Sequence, residues 1–221
     1  MTDLTGRRAI VTGATSLLGK HIAHALVDAG AHVMIADRDR NAVRRIAKTI
    51  GAEPWSIDLS DPLALSATDL DVDILVNNPA VPHTGNPTDF SAEQLSFLIR
   101  VMLEVPYLLV RSVLDGMRER RFGRIITISS TGDVPSSVYS AMFTAASHGL
   151  EHVSRITALE GGAHGVTSNV IDPGFVHTPT TNNRHVNPTE VADLALWLAS
   201  RDADLISGTT YSLQYSRSVA A

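Results

Sequence analysis

Short, almost wholly apolar runs alternate along this chain with longer segments in which apolar residues return every three or four positions. The runs are Ala9–Thr12, Ala31–Ala36, Ile74–Asn77, Arg124–Ile128 and Thr167–Ile171. They are rich in β-branched residues and lack polar alternation, the pattern of a parallel strand buried on both faces. Amphipathic patterns over Gly19–Ala29, Arg40–Ile50, Ala92–Arg120, Ser140–Glu160 and Glu190–Leu198 predict helices between them. Strand and helix in steady alternation imply an α/β fold, a doubly wound parallel sheet in a single domain spanning residues 1–221. Pro106 falls inside the third helical pattern, where its missing N–H predicts a kinked or loosened turn. The Thr- and Asn-rich stretch from Pro179 to Asn187 reads as a loop at the carboxyl edge of the sheet, over the crevice where such folds bind ligands.

Composition adds little to that outline, but it excludes several alternatives. At 44% apolar, 221 residues can bury one sizeable core. The formal charge of -5 arises from interspersed acids and bases, so neither nucleic acid nor an anionic membrane is an expected partner. Cysteine is absent, which excludes disulfides and thiolate chemistry. The first residues lack a secretory pattern and no later run is long enough to span a bilayer, so a cytoplasmic protein is expected. The nine histidines and the carboxylates show no metal-ligand spacing.

The first predicted strand runs through Thr12-Gly13-Ala14-Thr15-Ser16-Leu17-Leu18-Gly19 straight into a helix. This segment resembles the phosphate loop of the short-chain dehydrogenase/reductase family, TGxxxGxG, on a Rossmann-type fold. Gly13 and Gly19 match its outer glycines and Leu17 stands at the middle one, where a side chain is expected to project toward the cofactor. Asp37, at the end of the second strand, would accept from the adenosine ribose hydroxyls and repel an added phosphate, which favours NAD over NADP. Asp58-Leu59 resembles the family's pair beside the adenine, and Asn77-Asn78-Pro79-Ala80 half preserves its NNAG turn. Asn169 to Thr178 resembles NxIxPGxxxT, which adds Pro173, Gly174 and Thr178 to the expected cofactor contacts.

Ser130, at the end of the strand Arg124–Ile128 and its Ser129-Ser130 extension, takes the place of the family's catalytic serine. Counting the family's spacing from it puts the tyrosine position at Phe143 and the lysine position at Ser147, and the asparagine of the tetrad corresponds to Met102. A second register keeps Tyr139 as the tyrosine, but it leaves four residues missing before it and four extra after it and sets Phe143 where the lysine belongs, so the first register is preferred. On either register the lysine that activates the phenol is missing, and a phenylalanine transfers no proton. His83, Asp133 and His177 are further polar groups that could face the crevice.

The resemblance therefore implies three readings. The first is a non-catalytic scaffolding or regulatory subunit paired with an intact relative. The second is a repurposed non-redox enzyme with an apolar small molecule in the former nicotinamide pocket. The third is a residual NAD-dependent oxidoreductase, and across the three the expected cofactor is none or weakly bound NAD(H). Surplus apolar residues from Leu95 to Met117 and from Ser140 to Leu159 predict an oligomer, with copies of itself or with such a relative.

Overall fold

The computed structural model describes residues 2–61, 64, 70–79, 90–129, 141–174, 176 and 186–213. Seven strands form one parallel sheet: β1 (Arg8–Thr12), β2 (His32–Asp37), β3 (Glu53–Ser56), β4 (Ile74–Asn77), β5 (Gly123–Ile128), β6 (Val166–Asp172) and β7 (Thr210–Ser212). Their order across the sheet is β3-β2-β1-β4-β5-β6-β7. The chain starts in the middle, winds outward to β3, then crosses back to β4 and winds the other way. The strand order reverses between β1 and β4, and the carboxyl ends there open into a crevice.

The central strands are buried on both faces, and successive residues serve different cores. Ala9 and Val11 of β1 join β2 residues Val33 and Ile35 under α1 (Leu17–Asp28), α2 (Arg40–Ile50) and α6 (Pro188–Ala199). Ile10, between them, faces the opposite core with Leu75, Ile125 and the buried stripe of α4 (Val105–Glu119). The long α5 (Ala141–Gly162) lies against β6. Two ends are fixed by sequence-encoded caps: Ser91/Gln94 on α3 (Ala92–Ile99) and Asn187/Glu190 on α6 each form a reciprocal capping box.

All five expected strands and all five helical patterns are present, with ends moved by a few residues. The third pattern, however, is broken. Between α3 and α4 lies a π turn, Arg100–Glu104, in which the Val105 N–H donates to the Arg100 carbonyl. Pro106 follows as the second residue of α4, where the absent N–H costs least, so the proline's effect is felt one turn upstream. Strands β3 and β7 had no apolar run to announce them. They are edge strands, and the Glu-Pro-Trp-Ser sequence of β3 puts a proline where one is tolerated. Val176 and Val186 pair in an isolated parallel bridge that pinches the base of the expected 179–187 loop; 179–185 lie outside the described residues. Among the described residues no helix is long and apolar enough to cross a membrane.

Candidate functional site

The turn after β1 is built around two positions that admit no side chain. Gly13 has φ +57°, and a Cβ there would stand 2.2 Å from the Asn78 carbonyl oxygen. At Gly19 a Cβ would stand 2.5 Å from the Gly13 carbonyl oxygen. These contacts bring the start of α1 against the turn after β4, and hydrogen bonds fasten the junction. The Asn78 amide donates to the Gly13 carbonyl (3.0 Å) and to Ser16 Oγ (2.9 Å). Ser16 caps α1 by accepting from the Gly19 N–H (3.1 Å), and Thr12 Oγ1 accepts from the Asn78 N–H (3.0 Å). Asn78, quoted above only as part of a turn, is the hub of this junction. Leu17 opens α1 at 37% exposed and is not among the residues lining the cleft described next.

A cleft of about 530 Å³ opens at the switch point between β1 and β4. Its lining includes Gly13, Thr15, Asp37, Asp58, Asn77 and Pro79 together with an apolar set, Phe97, Val101, Val105 and Leu109. In an unbroken α-helix, side chains four apart drift by about 40° per step. The extra residue of the π turn takes up that drift, so four residues spanning α3, the turn and α4 line one cleft.

At the carboxyl end of β2, one Asp37 oxygen accepts from the Thr15 N–H (3.1 Å) and hydroxyl (2.6 Å), and the other from the Arg38 N–H (2.7 Å). Asp58 accepts from the Ser60 hydroxyl (2.6 Å) and N–H (2.9 Å). The Ser60 hydroxyl bond is the main reason its carboxyl titrates below the ordinary aspartate range; nearby Arg38 adds to the effect. Asn77 is fully buried; its amide donates to the Pro106 carbonyl (3.3 Å), while its Oδ1 finds no donor among the described residues. A buried acceptor left open on a cleft wall is a place for a ligand or water donor. On the far side of the sheet edge, Gly174 adopts φ +56° and donates its N–H to Asp172 (3.1 Å), next to Pro173.

Met102 lies in the π turn and is buried with Leu98 and Ala146, with Phe143 packed against them. Ser147, on α5, is fully buried; the Ser129 hydroxyl donates to its carbonyl (3.4 Å), and its own Oγ has no partner among the described residues. The structure thus brings Met102 and Phe143 into one apolar cluster, with Ser147 on the same helix. Ser130, Asp133, Tyr139, His83, His177 and Thr178 lie outside the described residues.

The sequence profile of the short chain dehydrogenases matches residues 7–189. The chain belongs to the short-chain dehydrogenase family. Within it, the D-beta-hydroxybutyrate dehydrogenase of Rhizobium meliloti (strain 1021) is 31% identical over 249 aligned positions, covering 94% of this chain and 96% of the relative. The 3-oxoacyl-[acyl-carrier-protein] reductase of Escherichia coli (strain K12) is 30% identical over 233 positions, covering 94% and 96%. A solved short chain dehydrogenase/reductase family protein superposes with a TM-score of 0.88 at 31% identity, covering 96% of this chain and 97% of that one.

These relationships correct the functional expectation drawn from the sequence. The short-chain dehydrogenases that match nearly end to end are a dehydrogenase and a reductase, so the readings as a non-catalytic scaffold or as a non-redox enzyme are overturned. Those readings gave decisive weight to three positions, Met102, Phe143 and Ser147, whereas the relationship extends over the whole chain. Residues that sequence reasoning did not single out are Thr15, Arg38, Ser60, Phe97, Val101, Val105 and Leu109. Most have no motif signal, and only the fold brings them together.

Proposed function

We propose that this short-chain dehydrogenase is an NAD-dependent oxidoreductase acting on a 3-hydroxy or 3-oxo acid or its acyl derivative. The observation that carries the cofactor reading is the adenosine half of the cleft. Two glycines open a turn that a Cβ would close, the Asp37 carboxylate stands at the carboxyl end of β2, and Asp58 lines the same cleft. Asp37 would accept from the ribose hydroxyls, and the Thr15 hydroxyl now on it is a local substitute for such a donor. A carboxylate there disfavours a ribose phosphate. The open Asn77 Oδ1 would take a donor further along the cleft. The substrate class is supported by what the two curated relatives are named for, hydroxybutyrate and 3-oxoacyl groups, which share an oxygen at the third carbon.

When bound, the nicotinamide supplies or takes the hydride. The chain's part is to hold the reacting oxygen and to move its proton. Phe143 performs neither task, and the Ser147 hydroxyl is neutral. Ser130 Oγ, at the family's serine position, is assigned the hydrogen bond to the substrate oxygen, and Tyr139 Oη, four residues before the family's tyrosine position, is assigned the proton. The sequence sets no lysine four residues after Tyr139, so the positive charge that would favour the ionised phenol is absent and oxidation of the alcohol should accelerate as the pH is raised. The apolar surface of Tyr107, Ile156 and Leu159 is assigned to a second copy of the chain in a homo-oligomer.

The test is a fluorescence titration with NADH and NADPH, followed by turnover of a 3-hydroxy acid. Saturable NADH binding at micromolar concentration is expected, with NADPH at least about ten-fold weaker. Asp37→Ala should weaken NADH about ten- to a hundred-fold and remove the preference. Tyr139→Phe should abolish turnover without changing NADH affinity. Failure of both dinucleotides to bind overturns the proposal.

A further inference from the structure

Contrary to the expectation that the histidines lack metal-ligand spacing, His148 and His152 stand four residues apart on α5, with Glu151 beside them. On a helix that spacing sets both rings on one face, about 40° apart around the axis and with Cβ atoms about 5–6 Å apart, within reach of a common ion. Both residues are exposed, His148 over 50% of its side chain.

The rings are also held in the state that a metal needs. His152 Nδ1–H donates to the His148 carbonyl (3.0 Å), and His148 Nδ1–H points to Glu151 Oε2 at 3.4 Å. Carbonyl and carboxylate oxygens only accept, so in each neutral ring Nδ1 carries the proton and Nε2 is left with its lone pair. Glu151 is itself held, because its Oε1 accepts from the Thr210 hydroxyl (2.6 Å) of β7. An oxygen behind the far nitrogen is the usual outer support of a metal-binding histidine, since it fixes the ring and raises its basicity. Thr210, Glu151 and His148 form such a support and tie an exposed ring to the sheet. Glu151 also lies in the field of Arg155, one turn on, and offsets a charge that would oppose a cation.

We infer that His148 Nε2 and His152 Nε2 form a chelating site for a divalent transition metal ion such as Zn²⁺. Imidazole nitrogen suits Zn²⁺, Ni²⁺ and Cu²⁺, whereas Mg²⁺ and Ca²⁺ prefer oxygen. Among the described residues no group of three or more His, Asp or Glu could hold a metal, so the chain gives two ligands and water completes the shell. A second pair, His21 and His24 on α1, also directs Nδ1 to oxygens, the Leu17 carbonyl (2.8 Å) and Asp28 (3.1 Å). Lys20 and Arg45 line the same hollow as that pair, however, and two cations there disfavour a metal ion. An ion on α5 would clamp one helical turn directly after Ser147, whose carbonyl accepts from the Ser129 hydroxyl just past the end of β5. No residue lining the cleft takes part, so the assignment stands apart from the dinucleotide reading.

The experiment is a titration of the full chain, first stripped of metal by dialysis against EDTA, with Zn²⁺ in competition with a chromogenic chelator. Saturable binding of one Zn²⁺ per chain at micromolar concentration is expected, with a rise in Tm because the ion binds the folded helix. Mg²⁺ should produce neither effect. His148→Asn and His152→Asn should each weaken Zn²⁺ by about ten-fold or more, since each removes one of two ligands. Both rings are exposed, so the metal-free Tm of each variant should match the wild type. His24→Asn, which breaks the other pair, should bind Zn²⁺ as the wild type does. Wild-type affinity retained in both α5 variants means an adventitious ion only, and overturns the assignment. Weakening in just one of them means a single contact and no chelate, and overturns it as well, as does the absence of any Zn²⁺ binding below about 0.1 mM.

Discussion

Replacing Arg124 by methionine will lower the unfolding free energy by about 3–5 kcal/mol, measured by urea titration, with a fall in Tm of roughly 10 °C. Arg124 is the second residue of the apolar strand β5 and is 1% exposed, yet it is charged. Burial pushes its pKa down and the Asp204 carboxylate opposes that shift. The side chain survives there because nearly every donor is used. Nε–H donates to the Ser200 carbonyl (3.1 Å), Nη1 to the carbonyls of Gly123 (2.8 Å) and Gly165 (3.2 Å), and Nη2 to Asp204. Its plane also lies 4.3 Å from the centre of the Phe122 ring. Methionine fills the space but removes the arginine's donors from these carbonyls, including the Ser200 carbonyl just past the end of α6. Asp204 is 47% exposed and can return to water, so Asp204→Asn should cost less than about 1 kcal/mol. If the two substitutions prove equally costly, the ion pair and not the carbonyl bonding holds the site. NADH affinity should be unchanged in both, because Arg124 lies at the end of the sheet away from the cleft.

Gly13→Ala is expected to cost about 2–4 kcal/mol of stability and to abolish measurable NADH binding. The cost has two sources, a left-handed φ of +57° and a Cβ directed at the Asn78 carbonyl 2.2 Å away. Asn78 cannot retreat without releasing the Gly13 carbonyl and Ser16, and with them the cap of α1. Gly162→Ala at the end of α5 is the control. A Cβ there meets nothing within 4 Å and its φ is ordinary, so the change should be neutral or slightly stabilising. Urea unfolding and NADH titration of both variants decide the point. A stable Gly13→Ala protein that still binds NADH would mean the turn is not the cradle described.

The contrast between these positions shows what could be read in advance. Gly13 and Gly19 were legible because backbone crowding leaves a residue type no substitute. The central strands were legible because burial on both faces demands continuous apolar runs, as at Ile125 and Ile126. Strand β7, Thr210–Ser212, was not legible, because an edge strand follows its neighbour's hydrogen-bonding register and needs no apolar signature. The binding wall was hidden for a different reason. Phe97 and Leu109 look like ordinary core positions of two helical turns, and only the geometry of the chain between them makes them neighbours. The reading of function failed where single positions were weighed as if they were independent. Met102 and Phe143 pack together in one apolar cluster, which says little about the rest of the cleft.

The π turn at Arg100–Glu104 carries one further implication. Its contribution is a count of residues, since any side chain leaves the rotation of α4 relative to α3 nearly the same, while adding or removing one residue turns the downstream helix by about 100°. A one-residue deletion there would swing Val105 and Leu109 off the cleft even if every remaining amino acid were kept. Drift in this stretch is thus more strictly barred from altering length than from altering identity, the reverse of the constraint on a surface loop.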